Sequence, residues 1–484
     1  MKHGTGAAID SLLLSLVKVI TTSVGVVSTM VLSRTLSLAD YGTFAQGNLV
    51  ITLATSMTVL GLTDASNYFF NRPEYGHKYV SNILLIESVA GLAAALVLVF
   101  CKGWIGDYFN NASIASIVIF IAFRPMTNNL LATLQVLIVS LGKSKLLAVR
   151  NLLISILKIG VVCAVGFVYK NIALIFLAFV VMDLLNIIWF YAVYRNSGGR
   201  MSICDFDLSA VKQILLFCIP MAVSLVASSY TREMSKLVVG AMENTENYAI
   251  FANCSAQLPL DLFSASFMTV LMPILTRRIG SGMLGDAGTV YSLYIKSGCL
   301  LVWPIAACLA IVAPEAVRVL YGEKYIAGVP VFVLYLITYG TTFLSSTLVL
   351  TASGNTKSVL GVSISSLVLS GAASLIGEIT LGYIGAAAGA VAINLLTALV
   401  MLSLSAKSLK LAVASIFPPK TILRLLIAGA FAAAPALAIK YVFATADAGI
   451  LLVMLAPAVT FMLSFMLIER REVKDLLFQI NALK

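Results

Sequence analysis

IALIFLAFVVMDLLNIIWFYAVY, residues 172–194, contains a single charge, Asp183. About 20 consecutive apolar residues, rising ~1.5 Å each in a helix, are enough to cross the hydrocarbon core of a bilayer. Inside that core the backbone must satisfy its own hydrogen bonds, so a run of this kind folds as a helix. Comparable runs recur along the chain. The sequence predicts fourteen spans, over 11–33, 42–64, 79–101, 113–140, 146–169, 172–194, 213–239, 247–274, 289–314, 329–352, 358–381, 384–406, 421–443 and 448–468.

Composition agrees. The 484 residues are 60% hydrophobic and 11% charged, with a mean hydropathy of +1.01. An ordinary soluble domain is about 25% charged. The apolar runs are continuous, whereas a membrane β-barrel alternates over segments of about 10 residues. The expected class is therefore an all-α polytopic membrane protein. No connection exceeds 195–213, which leaves no soluble domain for separate chemistry. The start, MKHGTGAAID, leads into an apolar run containing Lys18 with no small-residue cleavage site after it, and reads as an uncleaved first span. Seven cysteines, including Cys204, lack metal spacing, and His3 and His77 are far apart, so neither a metal nor a cofactor is expected.

Lysine and arginine in short loops set orientation. With the N-terminus inside, nineteen fall in cytoplasmic segments, and six (Arg34, Lys102, Lys170, Arg318, Lys324 and Lys440) fall opposite. Both termini are then cytoplasmic. The net charge of +11 is mostly this topological bias, with attraction to anionic membrane lipid, and implies no nucleic acid partner.

Two matches suggest a duplication. Asp40-Tyr-Gly-Thr-Phe-Ala-Gln46 parallels Asn247-Tyr-Ala-Ile-Phe-Ala-Asn253, offset by 207, and Leu141-Gly-Lys-Ser-Lys145 parallels Ser353-Gly-Asn-Thr-Lys357, offset by 212. Six spans per repeat give both halves one orientation, hence a pseudo-twofold axis along the membrane normal and a substrate site between halves. The expected domains are an N-terminal lobe, 1–194; a C-terminal lobe, 213–406; two extra helices, 421–468; and a cytoplasmic tail, 469–484.

At these loops the chain resembles a family. Leu32-Ser-Arg-Thr-Leu-Ser-Leu-Ala-Asp-Tyr-Gly42 is similar to the first-loop signature of the polysaccharide-transport, Wzx-type flippases of the multidrug/oligosaccharidyl-lipid/polysaccharide exporter superfamily. Phe217-Cys-Ile-Pro220, Leu320-Tyr-Gly-Glu-Lys-Tyr325, Ala352-Ser-Gly-Asn-Thr-Lys357 and Gly382-Tyr-Ile-Gly-Ala386 resemble its later segments, over roughly 8–406. The resemblance implies two six-helix lobes around a V-shaped cavity. It implies movement of polyprenyl-diphosphate-linked oligosaccharide from the cytoplasmic to the periplasmic leaflet of the bacterial inner membrane, for surface polysaccharides such as O-antigen or exopolysaccharide. A polysaccharide polymerase and a chain-length regulator would be partners. The chain departs from the family where many relatives carry an acid in span 7 and this sequence has Arg232.

Residues 229–236, SYTREMSK, put three charges inside that span. An ionisable group at membrane depth costs about 2.5–3.5 kcal/mol on insertion scales, so it faces protein or water. Glu233 and Lys236, three apart, can pair and leave Arg232 available for an anion, or for the outer headgroups by snorkelling. Lys18, Arg34, Arg124, Lys158 and Arg232 are the candidate substrate-binding bases, because guanidinium pairs bidentately with phosphate. Arg124 has a second reading, filling the backbone gap that Pro125 opens. Asp64, Asp183, Glu233 and Asp261 are candidate ion-coupling acids, with pairing to the bases as the simpler role. A cation-coupled small-molecule antiporter of the same superfamily is the alternative function. A membrane enzyme is disfavoured, since no loop is large enough to carry its catalytic groups.

Overall fold

The computed structural model describes residues 2–72, 75–197, 199, 205–256, 258, 260–446 and 448–482, with side chains described outside 2–16, 76–77, 220–221, 261–263, 265–266, 269–270 and 477–482. Among the described residues every regular element is helical. Contacts divide the chain into Met1–Ala252 and Asn253–Lys484.

The first unit holds α1 (Lys2–Thr35), α2 (Leu38–Val59), α3 (Leu62–Phe70), α4 (Gly76–Phe100), α5 (Lys102–Tyr108), α6 (Ala112–Ile121), α7 (Arg124–Ser140), α8 (Ser144–Ala164), α9 (Ile172–Asn196), α10 (Leu208–Met242) and most of α11 (Thr245–Cys254). Short polar side chains start the helices where chain leaves lipid. Ser37, Asn111, Asn171 and Asp207 each accept a backbone N–H of the first turn of α2, α6, α9 and α10. The Lys78 ammonium and the Ser209 amide hold the Asp207 carboxyl below the usual carboxylate range. Tyr79 Oη donates to Gln213 Oε1 at 2.5 Å, and Tyr108 Oη to the Leu237 carbonyl at 3.1 Å. These bonds tie α10 to α4 and α5, so the helix over expected span 7 packs within the first unit.

The second unit holds α12 (Asp261–Gly280), α13 (Leu284–Ile311), α14 (Ala313–Leu320), α15 (Val329–Thr341), α16 (Leu348–Ala352), α17 (Thr356–Ser408), α18 (Val413–Ile416), α19 (Pro419–Thr445), α20 (Ile450–Ile468) and α21 (Arg470–Ala482). Its centre is α13, whose buried face runs from Ala287 to Cys308. A four-charge network joins the last helix to the bundle. Lys296 Nζ on α13 lies 2.7 Å from Glu472 Oε2, while Arg424 on α19 reaches Glu469 at 3.1 Å and Glu472 at 2.9 Å.

Ten helices among the described residues are long and apolar enough to cross a membrane, or twelve counting two bent pairs as single spans. The difference from the expected fourteen has visible causes. α17 runs 53 residues but contains two arms that meet at Gly382, where φ is 62°. Expected span 8 is divided between α11 and α12. Span 2 breaks at Leu60 and Gly61, both left-handed, bending α2 from α3 by 41°. Large apolar side chains face outward from the bundles, among them Leu96 and Phe100 on α4 and Leu185 and Ile188 on α9. Exposed apolar faces of this extent suit lipid rather than water.

The paired motifs fold alike. Asp40 N donates to the Ser37 hydroxyl at 3.0 Å and Asn247 N to Asn244 Oδ1 at 2.8 Å, the same capping turn in both copies. At the second pair, Gly142 and Gly354 have φ of 71° and 72°. Lys143 N bonds the Ile138 carbonyl and Asn355 N the Leu350 carbonyl, closing the same glycine-ended turn. Gly42 is required for a different reason: a Cβ there would lie 2.1 Å from the Thr245 carbonyl oxygen.

Candidate functional site

Span 4 restarts at Arg124, with Pro125 in the first turn of α7, where the missing amide costs no hydrogen bond. Arg124 does not fill a backbone gap. Its Nη1 is paired with Asp183 Oδ2 on α9, where the Asp183 side chain is only 3% exposed. Thr127 donates to the same carboxylate oxygen at 3.3 Å. Burial of this kind is tolerated because the charge is paired and hydrogen-bonded.

Two further cations converge on the pair. Lys158 Nζ on α8 sits 5.9 Å from the centroid of Phe179, and Arg124 lies 5.5 Å from the same ring. Arg150, two helical turns before Lys158, donates to Asn186 Oδ1 at 3.0 Å and to Asn151 Oδ1 at 2.7 Å, and stacks on Phe190 at 4.6 Å. The field of Asp183 reaches all three cations. On α9, Phe179, Asp183, Asn186 and Phe190 are spaced by four, three and four, which puts them on one face. Two guanidinium groups and one lysine ammonium thus stand around a single carboxylate. Among the described residues Arg124 Nε is buried without a hydrogen-bond partner. Guanidinium and ammonium groups of this kind are the donors that pair with anionic oxygens.

The structure brings Arg124, Lys158 and Asp183 together. It places Lys18 and Arg34 on exposed parts of α1, Asp64 exposed on α3, and Arg232 exposed on α10. Arg232 donates to the Ser229 hydroxyl at 3.4 Å, and Glu233 accepts from Lys236 at 2.8 Å, as the three-residue spacing predicted. The side chains of Asp261, His3 and His77, and all of Cys204, lie outside the described residues. Among the described residues no group of acids, histidines and cysteines could hold a metal ion. Sequence reasoning missed Arg150, Phe179 and Asn186. The stripe on α9 held the signal, since Asp183 is the one charge between Ile172 and Tyr194.

The second unit contains an apolar cavity of 580 Å³ bounded by α13, α15, α17, α19 and α20. Trp303, Leu336, Leu425, Phe461 and Phe465 line it, and Trp303 Nε1 is satisfied by the Gly340 carbonyl at 3.0 Å.

A family model described as polysaccharide biosynthesis protein matches residues 31–330, more than half of the chain. The chain belongs to that family. It is also similar to two curated relatives, the probable lipid II flippases MurJ of Rhizobium meliloti (strain 1021) and Rhizobium tropici. The first is 27% identical over 138 residues, 28% of this chain and 25% of the relative; the second is 27% identical over 111 residues, 23% and 21%. The chain thus matches about a quarter or less of the length of these relatives. Among solved structures, lipid II flippase MurJ in an inward closed conformation aligns with a TM-score of 0.69 at 16% identity, covering 96% of this chain and 100% of that one. An inward-facing multidrug resistance MATE family transporter of the MOP superfamily aligns at 0.67 and 14%, covering 81% and 94%. At such identity the likeness is one of fold. Those relatives and neighbours are named as flippases and transporters, and this family member shares their fold, with ten to twelve described spans long and apolar enough to cross a membrane.

Proposed function

We propose that the protein is a flippase that moves polyprenyl-diphosphate-linked oligosaccharide from the cytoplasmic to the periplasmic leaflet of the bacterial inner membrane by alternating access, supplying a polymerase and chain-length regulator of surface polysaccharide. The observation that carries this reading is the cationic excess around Asp183. A diphosphate is the anionic part of such a substrate, and the Arg124 fork with the Lys158 ammonium supplies planar and point-charge donors for it. Lys18, Arg34 and Arg232 are proposed as further anion contacts along the path. The apolar cavity supports the reading independently, since a polyprenyl chain needs an apolar channel without buried unpaired polar groups. Asp183 and Glu233, each engaged by a base, are read as structural acids.

The competing reading, a cation-coupled small-molecule antiporter, draws on the MATE-like fold. An acid-rich, cation-accepting lobe would favour it, and the cluster around Asp183 has the opposite sign.

The deciding experiment reconstitutes purified protein in vesicles. One set carries undecaprenyl-diphosphate oligosaccharide labelled in its sugar, another a cationic dye. Protein-dependent exposure of the sugar to a membrane-impermeant oxidant, without dye movement, is expected. Dye transport with a static glycolipid would overturn the proposal. Orientation is tested alongside: a cysteine at Thr445, exposed at the end of α19, labels only from outside in intact cells if both termini are cytoplasmic.

A further inference from the structure

Glu87 lies on α4, eleven residues into the helix and away from the cluster around Asp183. It is 1% exposed. Thr133 on α7 donates its hydroxyl to Oε1 at 2.5 Å, and among the described residues Oε2 has no hydrogen-bond partner. Among the described residues no lysine or arginine comes within ion-pair distance of it. This differs from Asp183, which has a guanidinium and a hydroxyl on one oxygen.

An ionised carboxylate taken wholly out of water with one hydroxyl donor is strongly disfavoured. The neutral acid is the form that this pocket accommodates. A sodium ion would need several oxygens around it, and this site offers one carboxyl and one hydroxyl.

The site is connected. Thr133 Oγ1 lies 3.5 Å from Thr63 Oγ1 at the start of α3. Thr63 follows the left-handed break at Leu60 and Gly61 and precedes Asp64, which is exposed. Hydroxyls both donate and accept, so Thr133 and Thr63 form a hydroxyl pair leading from Glu87 to the half-buried start of α3.

We propose that Glu87 is a proton-binding site, loaded and unloaded through the Thr133–Thr63 hydroxyl pair, and that its protonation couples a proton to transport by setting the geometry of the span 2 break. The coupling half rests on the transport function proposed above; the proton site does not. When protonated, Glu87 allows α3, α4 and α7 to stay packed. Loss of the proton through the hydroxyl line leaves a charge beside the break and favours an arrangement that admits water.

The other titratable groups near α4 are engaged or remote. Asp64 on α3 is exposed, and Cys218 on α10 is a buried thiol. Arg124 on α7 is held by Asp183, Glu233 and Lys236 on α10 hold each other, and Asp40 on α2 is bonded to Ser37 in the first turn. The sequence of α6 has no titratable side chain, and Lys102, Asp107 and Tyr108 of α5 lie beyond the last turn of α4.

Two measurements test this. Infrared difference spectra of the purified full-length protein in lipid vesicles, taken across a pH jump, should show a protonated-carboxyl band that Glu87→Gln removes and Asp183→Asn leaves. Thr133→Val should shift that band to higher frequency, because the carbonyl loses its hydroxyl donor. A band unchanged in both Glu87→Gln and Thr133→Val overturns the site. In vesicles carrying the labelled glycolipid, an imposed pH difference should change the wild-type rate by up to about tenfold per unit, the limit for one titrating group. Glu87→Gln should respond less than twofold, and a sodium gradient should have no effect. Wild-type flipping driven by sodium alone, or Glu87→Gln retaining the full pH response, overturns the coupling. If the wild type moves no glycolipid, the proposed substrate fails while the infrared band still decides the proton site.

Discussion

Arg124→Ala should lose most of its folded protein, whereas Lys158→Ala should keep its protein and lose export. The difference lies in what each change leaves behind. Removing Arg124 strands the Asp183 carboxylate in a bundle where its side chain is 3% exposed, and breaking a buried pair from one side costs about 3–5 kcal/mol. Asp183→Asn in the same chain removes the stranded charge, so the double variant should recover its membrane level. Export should not recover with it, because the guanidinium is then missing from the anion site. Lys158 has no carboxylate committed to it and rests against Phe179, so its removal costs the fold little. Surface glycan display in a strain lacking the native gene, with membrane levels measured in parallel, separates these outcomes. Full export by the double variant would exclude Arg124 from substrate contact and leave it a structural partner of Asp183.

Gly429→Leu should insert and accumulate normally but export at less than a tenth of the wild-type rate. Gly429 lines the apolar cavity, and a Cβ built there meets nothing within 4 Å. The added side chain therefore points into free space rather than into backbone. Leucine is also the better helix former, by roughly 1 kcal/mol. A tenfold loss corresponds to ~1.4 kcal/mol of weakened transition-state or substrate binding. Gly340 offers a control in the same cavity wall, since a Cβ there approaches Trp303 at 3.3 Å and must displace it. Undiminished export by Gly429→Leu would mean that the prenyl chain travels elsewhere.

The charged residues inside spans were all legible in the sequence, because each interrupts an apolar run. Pairings within one helix were legible too: Glu233 and Lys236, three apart, meet as the helical period requires. Arg124 and Asp183 are 59 residues apart, and no local rule brings α7 to α9. That contact depends on how helices pack, which single-chain periodicity does not encode. Arg150 was not among the candidate bases, yet Asn186 and Phe190 draw it into the cluster. The repeat was readable because its matches fall on backbone turns. Ser37 and Asn244 cap alike, and Gly142 and Gly354 turn alike, so each matched pair of residues serves the same local backbone geometry. At Gly382 the expected boundary between spans 358–381 and 384–406 coincides with the turn inside α17, whereas expected span 2 is broken at Leu60 and Gly61. A bend at Gly61 or Gly382 changes the path of the helix while hardly altering its hydropathy.

The charge network at the end of the second unit makes the order of synthesis matter. Lys296 and Arg424 emerge from the ribosome long before Glu469 and Glu472, and until then no acid from that segment meets them. A chain lacking Glu469 and Glu472 would carry a lysine within α13 and an arginine on α19 without these two carboxylates. The pairing of helices α13 and α19 through one acidic turn thus completes only after both have been made.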